Sequence, residues 1–329
     1  MSHSQRNDSR PSRRSFRRDD PQAALRRSLP PEVDDSPDPG QDDRHKIFGL
    51  DIATAEARQP AYGQGVVVSL LVAAGLLLLA VISVGTGKDA DPPILEQTDA
   101  LYWIIAAAVL VIAAIGAQFA ERTATRAAEA VGEGRPLTSM ATAWAVPFVA
   151  TLSAILLIAT FHNRVMLIAG PLIGFLGVAG SLLSRDLLDE ADEQSGRVAS
   201  TLHTLVVHSV AFLAFSAIYL NKLSTGVAAP AVGLIAGILI LETLERSNVD
   251  PSRRVVYAIL GGWIVGTMMV PLNWWPTYGW TGGAVLLAIF YATAGLLLVQ
   301  AQRAWVAGRD LIEFAGVASV ALLLLSLLA

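Results

Sequence analysis

The sequence predicts an all-α polytopic membrane protein: a bundle of nine transmembrane helices preceded by a polar tail. Three observations carry this. Of the 329 residues, 53% are hydrophobic and only 16% charged, a balance outside the range of ordinary soluble domains. From residue 61 onward, apolar stretches recur at the roughly 17–21 residues needed to cross about 30 Å of hydrocarbon as helix. Basic residues in the intervening gaps alternate in number from one gap to the next, as the positive-inside rule requires.

The tail comes first. Residues 1–60 are rich in Arg, Asp, Ser and Pro and carry too little apolar surface to offset the entropy of ordering, so disorder is expected. The charges are segregated. Residues 1–27 hold eight arginines against three acids, and residues 28–60 hold eight acids against three basic residues. The basic block is suited to anionic lipid, at about 1 kcal/mol per basic side chain near the surface. The competing expectation is a solvated cytoplasmic tail whose blocks partly neutralise each other. No apolar h-region of a signal peptide appears here. The patch "KIFGLDIATA" is expected to lie along the interface as a helix.

Nine apolar stretches follow: 65–85, 101–120, 140–160, 165–184, 200–220, 227–244, 254–272, 281–300 and 311–328. In a bilayer the backbone must satisfy its own hydrogen bonds, so these are helices. The odd-numbered gaps hold Lys88, Arg164, Lys222 and then no basic residue. The even-numbered gaps hold Arg122, Arg126 and Arg135; Arg185 and Arg197; Arg246, Arg253 and Arg254; and Arg303 and Arg309. A missed helix would scramble that alternation. The expected topology is N-terminus cytoplasmic and C-terminus outside. The excess of arginine over lysine, 21 to 3, reads as a GC-rich bacterial genome, and the cell membrane is the expected location.

Two segments resemble each other: "AGPLIGFLG" at 169–177 and "AAPAVGLIA" at 228–236. Each is expected at the start of an inward-running helix, where proline costs little because its missing N–H would be unsatisfied anyway. Each inward helix also ends in a polar residue followed by Arg: "ER" at 121–122, "SR" at 184–185, "ER" at 245–246 and "QR" at 302–303. A duplicated hairpin explains this. So does the shared need of inward helices for small residues and a terminal arginine. Glycines at four-residue spacing, Gly170 and Gly174, Gly233 and Gly237, Gly262 and Gly266, let helix backbones approach closely. They mark the faces through which protein subunits would pack.

Few residues suggest chemistry. In "TLHTLVVHSVAF", 201–212, the histidines are five apart, about 140° around a helix, whereas a two-histidine metal clamp on a helix wants three or four. The turn near residues 223–224 brings His203 level with Glu242 and Glu245 near the inner interface. A His203–Glu242 contact is expected, with Arg246 in the same layer, as a polar layer pinning the hairpin; a proton relay is the sharper alternative. His208 lies about 12 Å into the membrane and is expected to be a hydrogen-bonded packing residue.

"SRDLLDEADEQ", 184–194, gathers Asp186, Asp189, Glu190, Asp192 and Glu193. Carboxylates at this spacing can hold Mg²⁺ bridging a diphosphate. With nine helices and a cytoplasmic N-terminus, this run resembles the UbiA-type membrane prenyltransferases, which would imply a lipid-diphosphate substrate. That family carries two aspartate motifs, in the second and sixth loops. The corresponding loops here, "ERTATRAAEAVGEGRPLTS" and "ERSNVDPSRR", hold only Asp250, so the resemblance does not reach the motif. An acidic, solvated loop helix is the expected reading. "PLNWWPTYGWTGG", 271–283, supplies Trp274, Trp275, Tyr278 and Trp280; with Tyr102 and Trp103 they are expected to form an outer aromatic belt, or a stacking platform for a headgroup or sugar.

The absence of cysteine removes disulfides, thiolate metal sites and cysteine nucleophiles. P-loop, dinucleotide-binding and nucleophile-elbow motifs are also missing, and no Asp, Lys or Arg falls deep in the spans. No catalytic residue, cofactor or metal is assigned, and no nucleic-acid partner is expected at a net charge of −4. The leading expectation is a non-enzymatic membrane scaffold or subunit of a membrane complex. A transporter of a neutral or lipidic substrate comes second, and a membrane enzyme acting on a lipid diphosphate third.

Overall fold

A computed structural model describes residues 46–47, 50–85, 98–130, 142–190, 195–245, 249–275, 280–303 and 305–328. All belong to the second of the two units into which the chain divides, Met1–Arg44 and His45–Ala329. The basic block of the tail, Arg246, Tyr278, Asp192 and Glu193 lie outside the described residues, as do the side chains of Asp189 and Glu190.

The described residues form nine helices: α1 (Ile52–Gly85), α2 (Ala100–Ala130), α3 (Ala145–Phe161), α4 (Met166–Glu190), α5 (Ser195–Leu220), α6 (Thr225–Glu245), α7 (Pro251–Trp274), α8 (Thr281–Arg303) and α9 (Gly308–Leu328). Each contains most or all of one expected apolar stretch. Eight are long and apolar enough to cross a membrane. The exception, α3, has 17 residues. It is apolar around its whole circumference, the pattern of a helix surrounded by others, and buries residues on every side. It ends at His162, whose left-handed backbone (φ 40°) lets its N–H return to the Ile158 carbonyl.

Two apolar cores share α3. Val72 and Leu76 of α1, Ala113 of α2 and Val178 of α4 meet Ile155 and Ile158 on one side of it. Phe215 of α5, Val232 and Leu239 of α6, Val265 of α7 and Phe290 of α8 gather around Val146 and Val149 on the other. The last helix, α9, packs on α8 and leaves most of its surface uncovered, with 6% of its apolar window buried.

Three expectations need correction. The patch at 46–55 is not one helix: Lys46–Ile47 pair antiparallel with Leu50–Asp51, and helix begins at Ile52. Residues 52–60, expected to be disordered, are therefore the first turns of α1. The prolines do not open their helices either. Pro171 and Pro230 lie inside α4 and α6, each five residues past the first helical residue. A proline there forfeits one backbone hydrogen bond, tolerated in membrane helices when neighbours satisfy the freed carbonyl.

Candidate functional site

The helices run alternately, so α2, α4 and α6 finish where α3 and α5 begin. At that end the structure gathers the charged groups that would be costly elsewhere in an apolar bundle. Its centre is Arg185 of α4, 1% exposed. Arg185 Nη1 donates to Glu242 Oε1 at 2.9 Å, and Nη2 donates to Glu245 Oε2 at 3.2 Å. Nη2 also faces Glu121 Oε1 of α2 at 3.9 Å. All three carboxylates are buried. Thr142, just before α3, donates its hydroxyl to Glu245 Oε2.

His203 of α5 completes the layer. Its Nε2 lies 3.0 Å from Glu242 Oε1 and its Nδ1 lies 2.9 Å from Ser184 Oγ. Ser184 has one hydroxyl proton and two neighbours, since its Oγ also lies 3.0 Å from the Ser181 carbonyl. If the hydroxyl donates to Nδ1, the imidazole is neutral and its Nε2–H donates to Glu242. If it donates to the carbonyl, Nδ1–H donates to Ser184 Oγ and the ring carries both protons. The ring is thus a hydrogen-bonded bridge from α4 to α6 in either protonation state.

The sequence-derived trio His203, Glu242 and Glu245 thus lies in one layer, with His203 touching Glu242. Sequence reasoning missed the centre of that layer. By sequence, Arg185 falls in a cytoplasmic gap as a topology marker, and Glu121 at the end of an apolar stretch. The dipeptides at the helix ends held the signal: Glu121, Ser184 and Glu245 are the first members of "ER", "SR" and "ER", and all three are buried. In the fourth, "QR", Arg303 is exposed and pairs with Asp310. Of the acidic run, Asp186 is half-buried one residue past the cluster's arginine. Among the described residues, no group of three or more His, Asp or Glu is arranged to hold a metal.

His208 lies apart from this layer. Its Nδ1 is 2.8 Å from the Thr204 carbonyl one turn back, and its ring meets Phe290 edge-on at 5.5 Å. The aromatic residues at the opposite end do not form one set. Trp274 is exposed, but Tyr102 is buried and its hydroxyl donates to the Ile155 carbonyl at 2.7 Å. Trp280 stacks on Phe161 and Phe212, with ring centres 6.1 and 6.0 Å away. An interhelical hydrogen bond removes Tyr102 from any outer belt.

Two surface features remain. Gly233 and Gly237 of α6 meet Gly262 and Gly266 of α7 backbone to backbone: a Cβ on Gly262 would stand 2.4 Å from the Gly233 carbonyl oxygen. Above this seam runs an apolar groove of about 600 Å³, with exposed Leu234 and Trp263 on its rim. A smaller cavity, about 290 Å³, lies between α1, α2 and α4 beside Glu121.

No curated protein matches the chain, and no solved structure does. A family model does: residues 91–328, which include α2 to α9 and every residue of the charged layer, match DUF5656, described as a protein of unknown function. The chain belongs to this family.

Proposed function

We propose that this protein is a non-enzymatic integral membrane subunit, and that the α6–α7 groove receives a transmembrane helix of a partner. The groove carries the reading. Its lining runs from Ala229 to Leu241 on α6 and from Val255 to Val270 on α7, about 18–22 Å at 1.5 Å per residue, or roughly two-thirds of the hydrocarbon thickness. That length suits a spanning helix and far exceeds a headgroup. Its glycine floor suits the close backbone approach by which membrane helices associate without a hydrophobic driving force. We place the protein in the cell membrane of a bacterium, with the Arg185 layer on the cytoplasmic side.

Photo-crosslinking in native membranes tests this. A photoreactive residue at Trp263 is expected to capture one membrane-spanning polypeptide through its apolar segment. The same group at Ile104, equally exposed on α2, is expected to capture none. Lipid adducts alone at both positions contradict the reading. A second reading, transport of a lipidic substrate, is favoured by the cavity beside Glu121.

A further inference from the structure

A third cavity, of about 360 Å³, opens between α2 and the start of α3. Ile115, Gln118, Phe119 and Arg122 line it from α2, at spacings of three and four residues that set them on one face of the helix. Trp144, the residue before α3, lines the other side. Arg122 is exposed and lies four residues before the end of the apolar segment Ala100–Arg126, about 6 Å from it at 1.5 Å per residue. Arg126, also exposed, stands one turn further along the same face. Glu121, next in sequence, is buried and faces Arg185 instead. Among the described residues Arg122 makes no ion pair. The cavity is thus graded: Ile115 and Phe119 are exposed apolar side chains within the span, and the cations stand at its end.

We propose that this cavity holds an anionic phospholipid, with its phosphate on Arg122 and an acyl chain along Phe119 and Ile115. Charge complementarity selects the head. A guanidinium matches a phosphate through two parallel N–H donors, whereas the ammonium of a zwitterionic head would be brought towards both Arg122 and Arg126. Trp144 suits the same depth, because an indole favours the zone between headgroups and chains. The apolar wall below Arg122 favours a phosphate that carries a chain over a free one. The volume lies at the small end of ligand sites, enough for a head and the first part of one chain. The inference does not depend on the subunit reading, because cavity and groove lie on different helices.

The test uses the full-length protein in symmetric vesicles of equimolar dioleoylphosphatidylglycerol and dioleoylphosphatidylcholine. A photoreactive phenylalanine analogue is placed at Phe119, and the lipid adducts are counted by mass spectrometry. The same group at Ile104, exposed near the other end of α2, reports the bulk ratio. The ratio of phosphatidylglycerol to phosphatidylcholine adducts is expected to be about tenfold or more higher at Phe119 than at Ile104, the scale of two basic side chains near a membrane surface. Arg122→Gln is expected to cut that excess about fivefold, the scale of one. Arg164→Gln, which removes an exposed arginine just before α4, is expected to leave it unchanged. Competition by inorganic phosphate at constant ionic strength separates the sources. An excess that persists identifies the lipid; one that is abolished identifies free phosphate as the occupant and overturns the lipid assignment. Equal ratios at Phe119 and Ile104, an excess undiminished by Arg122→Gln, or one cut equally by Arg164→Gln overturns the proposal.

Discussion

Helix α6 is held in two unlike ways along its 21 residues. Its first half lies on α7 through Gly233 and Gly237, with the two backbones in contact, and Asn273 of α7 donates to Thr225 Oγ1 at the first residue of α6. Its last turn is held by Glu242 and Glu245, which reach Arg185 of α4, His203 of α5 and Thr142 before α3. The first attachment rests on dispersion between close backbones and demands the absence of side chains. The second rests on charge and demands that every partner be present, because each desolvated ion is costly alone. The seam ties α6 to one neighbour, whereas the layer ties several helix ends together. Apolar packing decides which helices touch, and the charged layer fixes their register at one end.

The difference sets the order of mutational effects. Arg185→Met breaks the layer at its centre and leaves three buried carboxylates facing an apolar side chain; a loss of about 3–5 kcal/mol is expected, read from denaturant-driven loss of helicity in mild detergent. Gly262→Leu attacks the seam, where the new side chain would meet the Gly233 carbonyl oxygen and Gly237 backbone; about 1–3 kcal/mol is expected. Gly316→Ala, where a Cβ meets nothing within 4 Å, is expected to be neutral or slightly stabilising, and a comparable loss there would deny the seam its special status. His203→Leu removes one bridge but leaves Arg185 on Glu242, for about 1–3 kcal/mol. His208→Leu is expected to cost less than His203→Leu, because its hydrogen bond stays within its own helix. Trp274→Ala, on an exposed side chain, is expected to stay within about 0.5 kcal/mol.

The fold was legible in the sequence because its cause is local. An apolar run long enough to cross hydrocarbon can only be helix, and every expected stretch became one. The ends were less legible because polar residues enter helices once neighbours satisfy them: α2 runs on to Ala130 and α4 to Glu190, beyond the expected stretches ending at 120 and 184. The site was half legible. His203 and Glu242 lie on consecutive helices, so counting from one turn brings them level. Arg185 meets Glu242 and Glu245 from α4, two helices before α6, and Glu121 reaches it from α2, so neither pairing is made by a single hairpin. The positive-inside rule reads arginine as a solvated marker. It cannot tell Arg122, which is exposed, from Arg185, which is buried. Burial there follows from the acids of α2 and α6, which become neighbours of Arg185 only after the helices assemble.

The central claim is that Arg185 and Glu242 are coupled across the α4–α6 contact, and a double-mutant cycle addresses it most directly. Arg185→Met, Glu242→Met and the double variant would be unfolded in the same detergent and their free energies compared. Coupled buried charges predict non-additivity of about 1–3 kcal/mol, with the double variant more stable than Arg185→Met alone because it no longer buries Glu242 without its guanidinium. Additive losses, within about 0.5 kcal/mol, would contradict the claim.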